Sequence, residues 1–359
     1  MYRGFLRFGM AGRARPGRRR WGRGSLRRRD RRGRGAPPAS RSQAPGGLSC
    51  FFVPRLRDDG TVNALRLERL KSKLGNRSNA SSELELAGAE AVLIGDEGRG
   101  VPVIIQMASL TRLDCAVASA GQMRLAVVLA VLHCRHRRVF QKTLIDQPLM
   151  AAVLADMALD VEAATALAFR LARAFDKADD DAAEAAWARV MTPVTKYWIC
   201  KIAPALGYEA MECLGGNGYV EDGIAARLYR ELPLNAIWEG SGNVMCLDVL
   251  RCFTREANKA RLVLDELARL SAGDRHLEAA LRDIERLLQG ATIEERRARD
   301  LVERLALVAA GALLRQGVPS EVADAFIAQR LAAGFRHTYG AGPEIEKTGA
   351  ILERAFPSA

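Results

Sequence analysis

The side chain best suited to chemistry in this sequence is Glu239, which stands between Trp238 and the turn Gly240-Ser241-Gly242. Apolar neighbours withdraw water from a carboxylate and raise its pKa toward the range in which a general base works near neutral pH. A Gly-Ser-Gly turn lets backbone approach a ligand closely. The pattern predicts a base beside a ligand. An acid at the start of a helix, where the helix dipole favours negative charge, fits the same residues.

A second candidate is the glycine-rich turn LGGNGY at residues 214–219. Three glycines in four residues allow close approach of backbone to a ligand, and their N–H groups can face an anion such as a pyrophosphate. A tight turn between two helices fits the same residues. The spacing differs from the GxGxxG turn of a Rossmann unit, so that fold is not indicated.

Histidine and cysteine spacing predicts no metal site. His133 and His136 stand among arginines, and the sequence offers no third and fourth ligand to accompany them. Arg137 in the same stretch could pair with phosphate. The seven cysteines lie singly in apolar runs without CxxC spacing, which predicts reduced, mostly buried thiols in a cytoplasmic protein. Gln122 and Arg124 interrupt the most apolar run, so no membrane span is predicted.

The net charge of +12 resides in the first 50 residues, which hold 15 arginines and one acid, Asp30. The rest of the chain sums to −2, so a broad nucleic-acid surface on the folded part is not indicated. Residues 1–47 are Arg, Gly, Pro and Ala without periodicity, which predicts disorder. Three interpretations stay open: a nucleic-acid-binding arm, an Arg-rich targeting peptide, or an artefactual start upstream of the true reading frame.

Apolar periodicity predicts a mainly α protein in which helices position these residues. Residues 48–97 carry short strand patterns, too few for a stable sheet, and read as the remnant of a β-domain. Residues 98–255 carry three long helical patterns, at 101–139, 147–174 and about 179–206, joined as in an up-and-down bundle. Residues 256–359 form a C-terminal helical extension, with helices predicted at 262–270, 276–288, 293–314 and 322–333.

Taken together, these residues resemble the acyl-CoA dehydrogenase family. The LGGNGY turn, then LYR at 228–230, then IWEG at 237–240 follow the order and spacing of that family's C-terminal signature. RRVF at 137–140 matches its Arg-x-x-Phe motif, and KLG at 73–75 resembles the loop that ends its β-domain. The sequence of residues 231–243 looks most like that of the AidB branch, the alkylation-response flavoproteins.

The resemblance implies an FAD-dependent oxidoreductase in which Glu239 removes the proton α to a thioester carbonyl while a hydride passes to the flavin. It assigns Thr111, Arg112 and Gly240 to the acyl-CoA substrate. It assigns contacts with FAD to nine residues: Arg137, Phe140, Glu212, Leu214, Gly215, Gly216, Ser241, Gly242 and Asn243. It also implies dimers or tetramers with FAD between subunits.

Three residues depart from the family pattern. Glu212 stands where many members have Gln, Gln141 where Gly follows the Phe, and Pro148 where a Gln that contacts FAD is common. The family's N-terminal helical domain, and the strands that hold the isoalloxazine ring, have no counterpart in this sequence. We therefore carry two further hypotheses beside the oxidoreductase: a DNA-binding alkylation-response flavoprotein, and a truncated fragment with little activity.

Overall fold

A computed structural model describes residues 47–288, 294–332, 339 and 345–356. The disorder predicted for residues 1–47 falls, except for Gly47, outside this part. The chain divides into two compact units, of which the first comprises Met1–Ser72 and Ala80–Ile104 and the second Lys73–Asn79 and Ile105–Ala359. Helix predominates, so the prediction of a mainly α protein is confirmed.

The first unit contains two antiparallel ladders of two strands each. In one, β1 (Cys50–Phe52) pairs with β4 (Val92–Ile94), and in the other β2 (Leu65–Leu70) pairs with β3 (Ser82–Leu86). Most strand side chains are exposed on both faces. Val53 is the only buried apolar side chain in the described part of this unit before Gly100. Two-stranded ladders without a core of their own have little independent stability, and the β-domain remnant stays a prediction.

Three long helices form the centre of the second unit: α1 (Gly100–His136), α2 (Pro148–Lys177) and α3 (Ala182–Cys213). They confirm the three predicted helices. The third is longer than predicted, because α3 continues through Pro204 to Cys213. Asp181 caps its start, and its carboxylate accepts hydrogen bonds from the N–H groups of Ala183 and Glu184.

Shorter elements connect and extend this bundle. A two-stranded hairpin, β5 (Arg138–Val139) and β6 (Lys142–Thr143), follows α1. The helices that follow α3 are α4 (Gly216–Tyr219), α5 (Ile224–Glu231), α6 (Gly242–Arg255), α7 (Ala257–Ser271), α8 (Arg275–Leu288), α9 (Ala298–Gly317), α10 (Ser320–Ile327) and α11 (Thr348–Ala355).

The helices after Glu256 belong to the same compact unit as the bundle. The predicted helix at 322–333 is divided, since α10 is followed by a π-helical turn, Ala328–Ala332. In that turn the Arg330 guanidinium pairs with Asp156 at 2.7 Å and with Asp160 at 3.0 Å, both on α2. Buried carboxylates need such partners. The extension is therefore tied to α2 by ion pairs as well as by apolar packing.

Helix α1 corrects one expectation. By length and composition it is apolar enough to cross a membrane, although the sequence pattern predicted that no segment is. Half of its most apolar window of 18 residues is buried inside the protein. Core helices of soluble proteins meet the same criterion, so α1 by itself does not indicate a membrane protein.

Candidate active site

Glu239 lies in a short loop between a 3-10 helix, Leu232–Ala236, and the start of α6 at Gly242. Its φ of 59° is in the left-handed region, which is uncommon for a residue with a side chain, and Gly240 follows with a φ of 103°. A Cβ on Gly240 would be strained at this φ and would lie 2.6 Å from the flexible end of the Met245 side chain. The sharp turn lets α6 begin directly after Glu239.

Two cations hold the backbone of this loop through three consecutive carbonyl groups. The Lys196 ammonium donates to the carbonyls of Trp238 at 2.8 Å and Gly240 at 2.5 Å. The Arg112 guanidinium donates from Nε to the Glu239 carbonyl at 3.0 Å. Lys196 is 1% exposed, and burial lowers the pKa of its ammonium group. We call this arrangement the carbonyl clamp; it holds the strained backbone of Glu239 in one conformation.

The Glu239 carboxylate is positioned separately, by α1. The Thr111 hydroxyl donates to Glu239 Oε2 at 2.7 Å. Thr111 and Glu239 are both half-buried, so this carboxylate is neither sealed in the core nor fully hydrated. The structure thus brings together the residues that the resemblance assigned to the base and the substrate: Thr111, Arg112, Glu239 and Gly240.

An ion-pair network supports the clamp. Arg112 Nη1 pairs with Asp248 on α6 at 2.9 Å, and Asp248 also pairs with Arg189 on α3 at 3.0 Å. Arg189 continues to Glu256 at 2.9 Å. The network links α1, α3 and α6 around the loop. Because the Arg112 side chain is engaged in this way, its predicted contact with acyl-CoA stays a prediction.

The remaining predicted residues of this region lie at the start of α6. Gly242 is buried, and a Cβ there would lie 3.1 Å from the Lys201 side chain and 3.3 Å from the Tyr197 ring. Asn243 is exposed, and its Oδ1 accepts a hydrogen bond from Arg299 on α9 at 2.9 Å. Ser241 is also exposed and precedes the helix without capping it by its side chain.

The glycine-rich turn lies at the far end of α3. Gly215 has a φ of 60°, and a Cβ on Gly218 would lie 2.1 Å from the Met211 carbonyl oxygen. These two glycines are required by the turn itself. Gly216 is exposed and faces open space, so nothing in the fold demands glycine there. Glu212 is exposed, and its charge raises the pKa of the Tyr208 hydroxyl. Leu214, which lies between Glu212 and Gly216 in the sequence, is half-buried.

Arg137 and Phe140 lie where α1 passes into the hairpin of β5 and β6. The Phe140 ring is 90% exposed at the tip. Phe140 and Gln141 have φ values of 51° and 68°, a left-handed pair that joins the two strands in a two-residue turn. The Arg137 side chain is exposed beside it. Single exposed apolar side chains are common on protein surfaces, so the predicted contact of Phe140 with FAD stays a prediction.

The predicted residues therefore form two groups that lie apart along the bundle. The Glu239 end comprises Thr111, Arg112, Lys196 and residues 238–243, and the glycine-turn end comprises residues 137–140 and 212–216. At about 1.5 Å per residue, Thr111 lies about 38 Å from His136 along α1, and Lys196 lies about 24 Å from Glu212 along α3. The two helices run in the same direction, since Cys200 Sγ contacts the Cys115 carbonyl and Cys213 interacts electrostatically with Cys134.

Sequence reasoning missed Lys196 and Asp248. Both lie within otherwise apolar helical stretches, Lys196 between Thr195 and Tyr197 and Asp248 between Leu247 and Val249. A lone charged residue in an apolar helix face needs a partner, which is the signal that could have found them.

Three further features of the described residues, possible metal ligands, the arginines before α9 and the cysteines, give no sign of a site. Among the described residues, no group of three or more His, Cys, Asp or Glu side chains could hold a metal ion. The basic cluster before α9 is paired with acids, since Arg296 binds Glu294 and Arg297 binds Asp300. All seven cysteines are free thiols, and all except Cys50 are buried.

Comparison with known proteins agrees with this geometry. Residues 98–254 match the C-terminal domain of acyl-CoA dehydrogenase. The chain carries an acyl-CoA dehydrogenase C-terminal domain. It is 48% identical over 285 residues to the putative acyl-CoA dehydrogenase AidB of Escherichia coli, covering 79% of this chain and 52% of that protein. It is 36% identical to acyl-CoA dehydrogenase family member 11 of Caenorhabditis elegans, covering 75% and 47%.

Solved members of the family share the fold. Caenorhabditis elegans ACDH-11, crystallised in complex with C11-CoA, superimposes with a TM-score of 0.74 at 31% identity, covering 86% of this chain and 57% of that chain. The acyl-CoA dehydrogenase from Bacillus anthracis, complexed with FAD, superimposes with a TM-score of 0.66 at 17% identity, a likeness of fold. The chain spans about half the length of the curated relatives it matches.

Proposed function

We propose that this chain is the helical part of an FAD-dependent acyl-CoA dehydrogenase-like oxidoreductase, and that the Glu239 carboxylate removes the α-proton of an acyl thioester. The observation that carries the proposal is the position of Glu239, with its side chain held by Thr111 and its backbone by the carbonyl clamp. The matched C-terminal domain and the relative solved with C11-CoA support the substrate class.

The residues around Glu239 perform three tasks in this proposal. Thr111 fixes the orientation of the carboxylate through Oε2. Lys196 and Arg112 hold the left-handed backbone that aims the side chain out of the loop. Preorganisation of this kind lowers the barrier to proton transfer, because no reorganisation is needed when the substrate arrives.

The residues fit FAD at both of its ends. At the glycine-turn end, open space at Gly216 and the exposed Phe140 ring suit a dinucleotide, and the Arg137 guanidinium suits a phosphate. At the Glu239 end, exposed Ser241 and Asn243 stand at the start of a 14-residue helix. When bound, FAD would supply the oxidant that accepts the hydride from the β-carbon.

The distance between the two ends favours an oligomer. The Glu239 end and the glycine-turn end are separated by about 24–38 Å, as estimated along α3 and α1, and both present exposed residues. Within our proposal, the glycine-turn end of one subunit therefore completes the cofactor site at the Glu239 end of another. A homo-oligomer, dimer or tetramer, follows from this arrangement.

The test is the absorbance spectrum of the purified chain with FAD, followed by anaerobic addition of acyl-CoA. We expect bound flavin and its bleaching by acyl-CoA. Glu239→Gln should keep the flavin but slow bleaching by about 10²–10⁴-fold, the usual contribution of a general base. Glu285→Gln, an exposed change on α8, is the matched control and should bleach normally. Absence of flavin, or undiminished bleaching in Glu239→Gln, would overturn the proposal.

DNA binding and cytoplasmic localisation stay predictions. For DNA, the slope of log K against log salt should become less steep when residues 1–47 are removed, if the Arg-rich segment neutralises phosphates. Equal slopes with and without these residues would exclude that segment as the binding arm.

A further inference from the structure

A small basic pocket lies in the second unit, and none of the residues assigned above to the base, the substrate or FAD lines it. It forms where the loop Lys73–Asn79 packs on α5. Gly75 makes the close approach possible, because a Cβ there would lie 2.2 Å from the Arg230 carbonyl oxygen. The Asn76 N–H donates to the Glu231 carboxylate at 2.6 Å and fixes the loop, with Asn76 at a φ of 52°.

The pocket has a volume of about 260 Å³. Its lining consists of Leu74, Gly75, Arg77, Ser78, Arg227, Arg230 and Glu231. This volume is below the roughly 300–1,000 Å³ of sites for drug-sized ligands, so the space suits one compact group and not a whole nucleotide.

Positive charge exceeds negative charge in this lining. Three guanidinium groups face one carboxylate, Glu231, which is already engaged with the Asn76 N–H. Arg230 is neutralised from outside the lining by Glu221, at 2.5 and 2.9 Å. Arg227 pairs with Glu231 at 3.5 Å, and Arg77 is not in an ion pair with either acid, so the lining has an excess of positive charge. Arg77 donates from Nε to the Lys73 carbonyl at 3.1 Å, which holds the side chain in place.

A buried donor in the same loop lacks an acceptor. The Asn76 side-chain Nδ2 is buried without a hydrogen-bond partner in the described part of the chain, and its two sequence neighbours, Gly75 and Arg77, both line the pocket. Leaving such a donor unpaired costs free energy. Asn76 itself does not line the pocket, so a bound acceptor would remove that cost only if the amide turned toward it.

We propose that this pocket binds the phosphoryl group of a phosphorylated ligand. Guanidinium groups bind phosphate oxygens in a fork geometry, and the hydroxyl of Ser78, with the amide of Asn76 once it turns toward the pocket, supplies neutral donors to the remaining oxygens. The ligand is either free phosphate or a phosphate monoester carried by a larger molecule such as coenzyme A. The proposal depends neither on FAD nor on Glu239.

Calorimetric titration of the full chain in phosphate-free buffer tests the proposal, with inorganic phosphate, CoA and 3′-dephospho-CoA as probes. Replacing both Arg77 and Arg227 by Gln should weaken binding about tenfold for each guanidinium removed. The matched control replaces Arg261 and Arg269 by Gln; both are exposed on α7 and paired with acids one turn away. All four positions are exposed or half-exposed, and unfolding curves check that each variant folds.

Each outcome bears on the proposal. Tighter binding of CoA than of 3′-dephospho-CoA, lost in the Arg77/Arg227 variant, supports it and identifies a carried phosphate. Binding of inorganic phosphate with no difference between the two CoA forms supports it with free phosphate as the ligand. Binding of none of the probes, or equal affinity in both double variants, would overturn it. Acetate that competes as well as phosphate would also overturn it, by indicating a carboxylate site. No flavin signal is read, so failure of the oxidoreductase proposal leaves these results unaffected.

Discussion

The two ends of the helical bundle solve different physical problems. At the Glu239 end, strained backbone and a half-buried carboxylate are held by Lys196, Arg112 and Thr111 from the same chain. At the glycine-turn end, Phe140 and Gly216 face outward, and their surroundings are open. The Glu239 end is therefore preorganised by contacts within its own chain. The glycine-turn end is an exposed surface.

This contrast explains why the two ends depend differently on their residues. Substitutions at the Glu239 end remove hydrogen bonds and should be costly to the fold. Substitutions at exposed positions of the glycine-turn end should leave the fold intact and act only on what binds there. Four predictions sharpen this comparison.

The largest effect on stability is expected for Lys196→Met. The change removes two charge-assisted hydrogen bonds to the carbonyls of Trp238 and Gly240, which should lower the free energy of unfolding by roughly 2–4 kcal/mol. Urea unfolding measures the difference. Lys201→Met, at an exposed position of the same helix, should change it by less than about 0.5 kcal/mol. Equal effects of the two changes would mean that the carbonyl clamp does not stabilise the loop.

At the glycine-turn end, two glycines that look alike in sequence should behave differently. Gly218→Ala brings a methyl group against the Met211 carbonyl and should destabilise the protein by about 1–3 kcal/mol. Gly216→Ala meets open space and should stay within about 0.5 kcal/mol of the parent. Thermal unfolding of the two variants separates them, and a costly Gly216→Ala would contradict the open surface described here.

The pH dependence of stability should report on buried thiols at both ends, since burial also raises the pKa of Cys200, beside Lys196, to about 12. Burial raises the pKa of Cys213 to about 12 and of Cys134 to about 11, from an ordinary value of 9.0. These thiols therefore stabilise the fold fully below about pH 9, and the contribution is lost as pH rises toward 11–12, by up to about 1.4 kcal/mol per pH unit for each thiol.

For Lys196, at the Glu239 end, the change of stability with pH has the opposite sign. Burial lowers the pKa of its ammonium below 10.5, so its cost decreases as pH rises toward 10.5. Unfolding of Cys213→Ala between pH 8 and 11 should show a shallower alkaline loss than the parent, with Cys50→Ala as the control. An unchanged slope in Cys213→Ala would be inconsistent with burial of that thiol.

The smallest effect concerns the hairpin tip. Gln141 has a φ of 68°, which glycine adopts without a steric penalty. Gln141→Gly should raise the free energy of unfolding by about 0.5–1 kcal/mol. Lys142→Gly, one residue on in β6, serves as control and should lower it, because that position is extended. A loss of stability in Gln141→Gly would argue against the left-handed turn.

Local patterns in the sequence predicted the long helices well, because apolar periodicity reports directly on which face is buried. Boundaries were less accurate: α3 passes through Pro204 and ends at Cys213, seven residues beyond the predicted end. Packing against α2, α6 and α7 outweighs the lost backbone hydrogen bond there.

Only those residues of the candidate site that belong to a local sequence motif could be predicted. Glu239 stood out by its neighbours in sequence, whereas Lys196 and Asp248 act through partners more than 40 residues away. No local pattern reveals such contacts. Likewise, sequence could not separate Gly218, required by close packing, from Gly216, which faces open space. Thr111 and Arg112 were assigned by resemblance, and the structure adds their hydrogen bonds to Glu239.

The unbroken length of α1 has a consequence for how this chain can vary. The helix carries Thr111 near one end and leads into Arg137 at the other, without a kink-forming Pro or a loop between them. One residue inserted between them would rotate one end against the other by about 100° around the helix axis and shift it by about 1.5 Å. The chain can therefore accept substitutions along the outer face of α1, but an insertion or deletion would put the two ends out of phase.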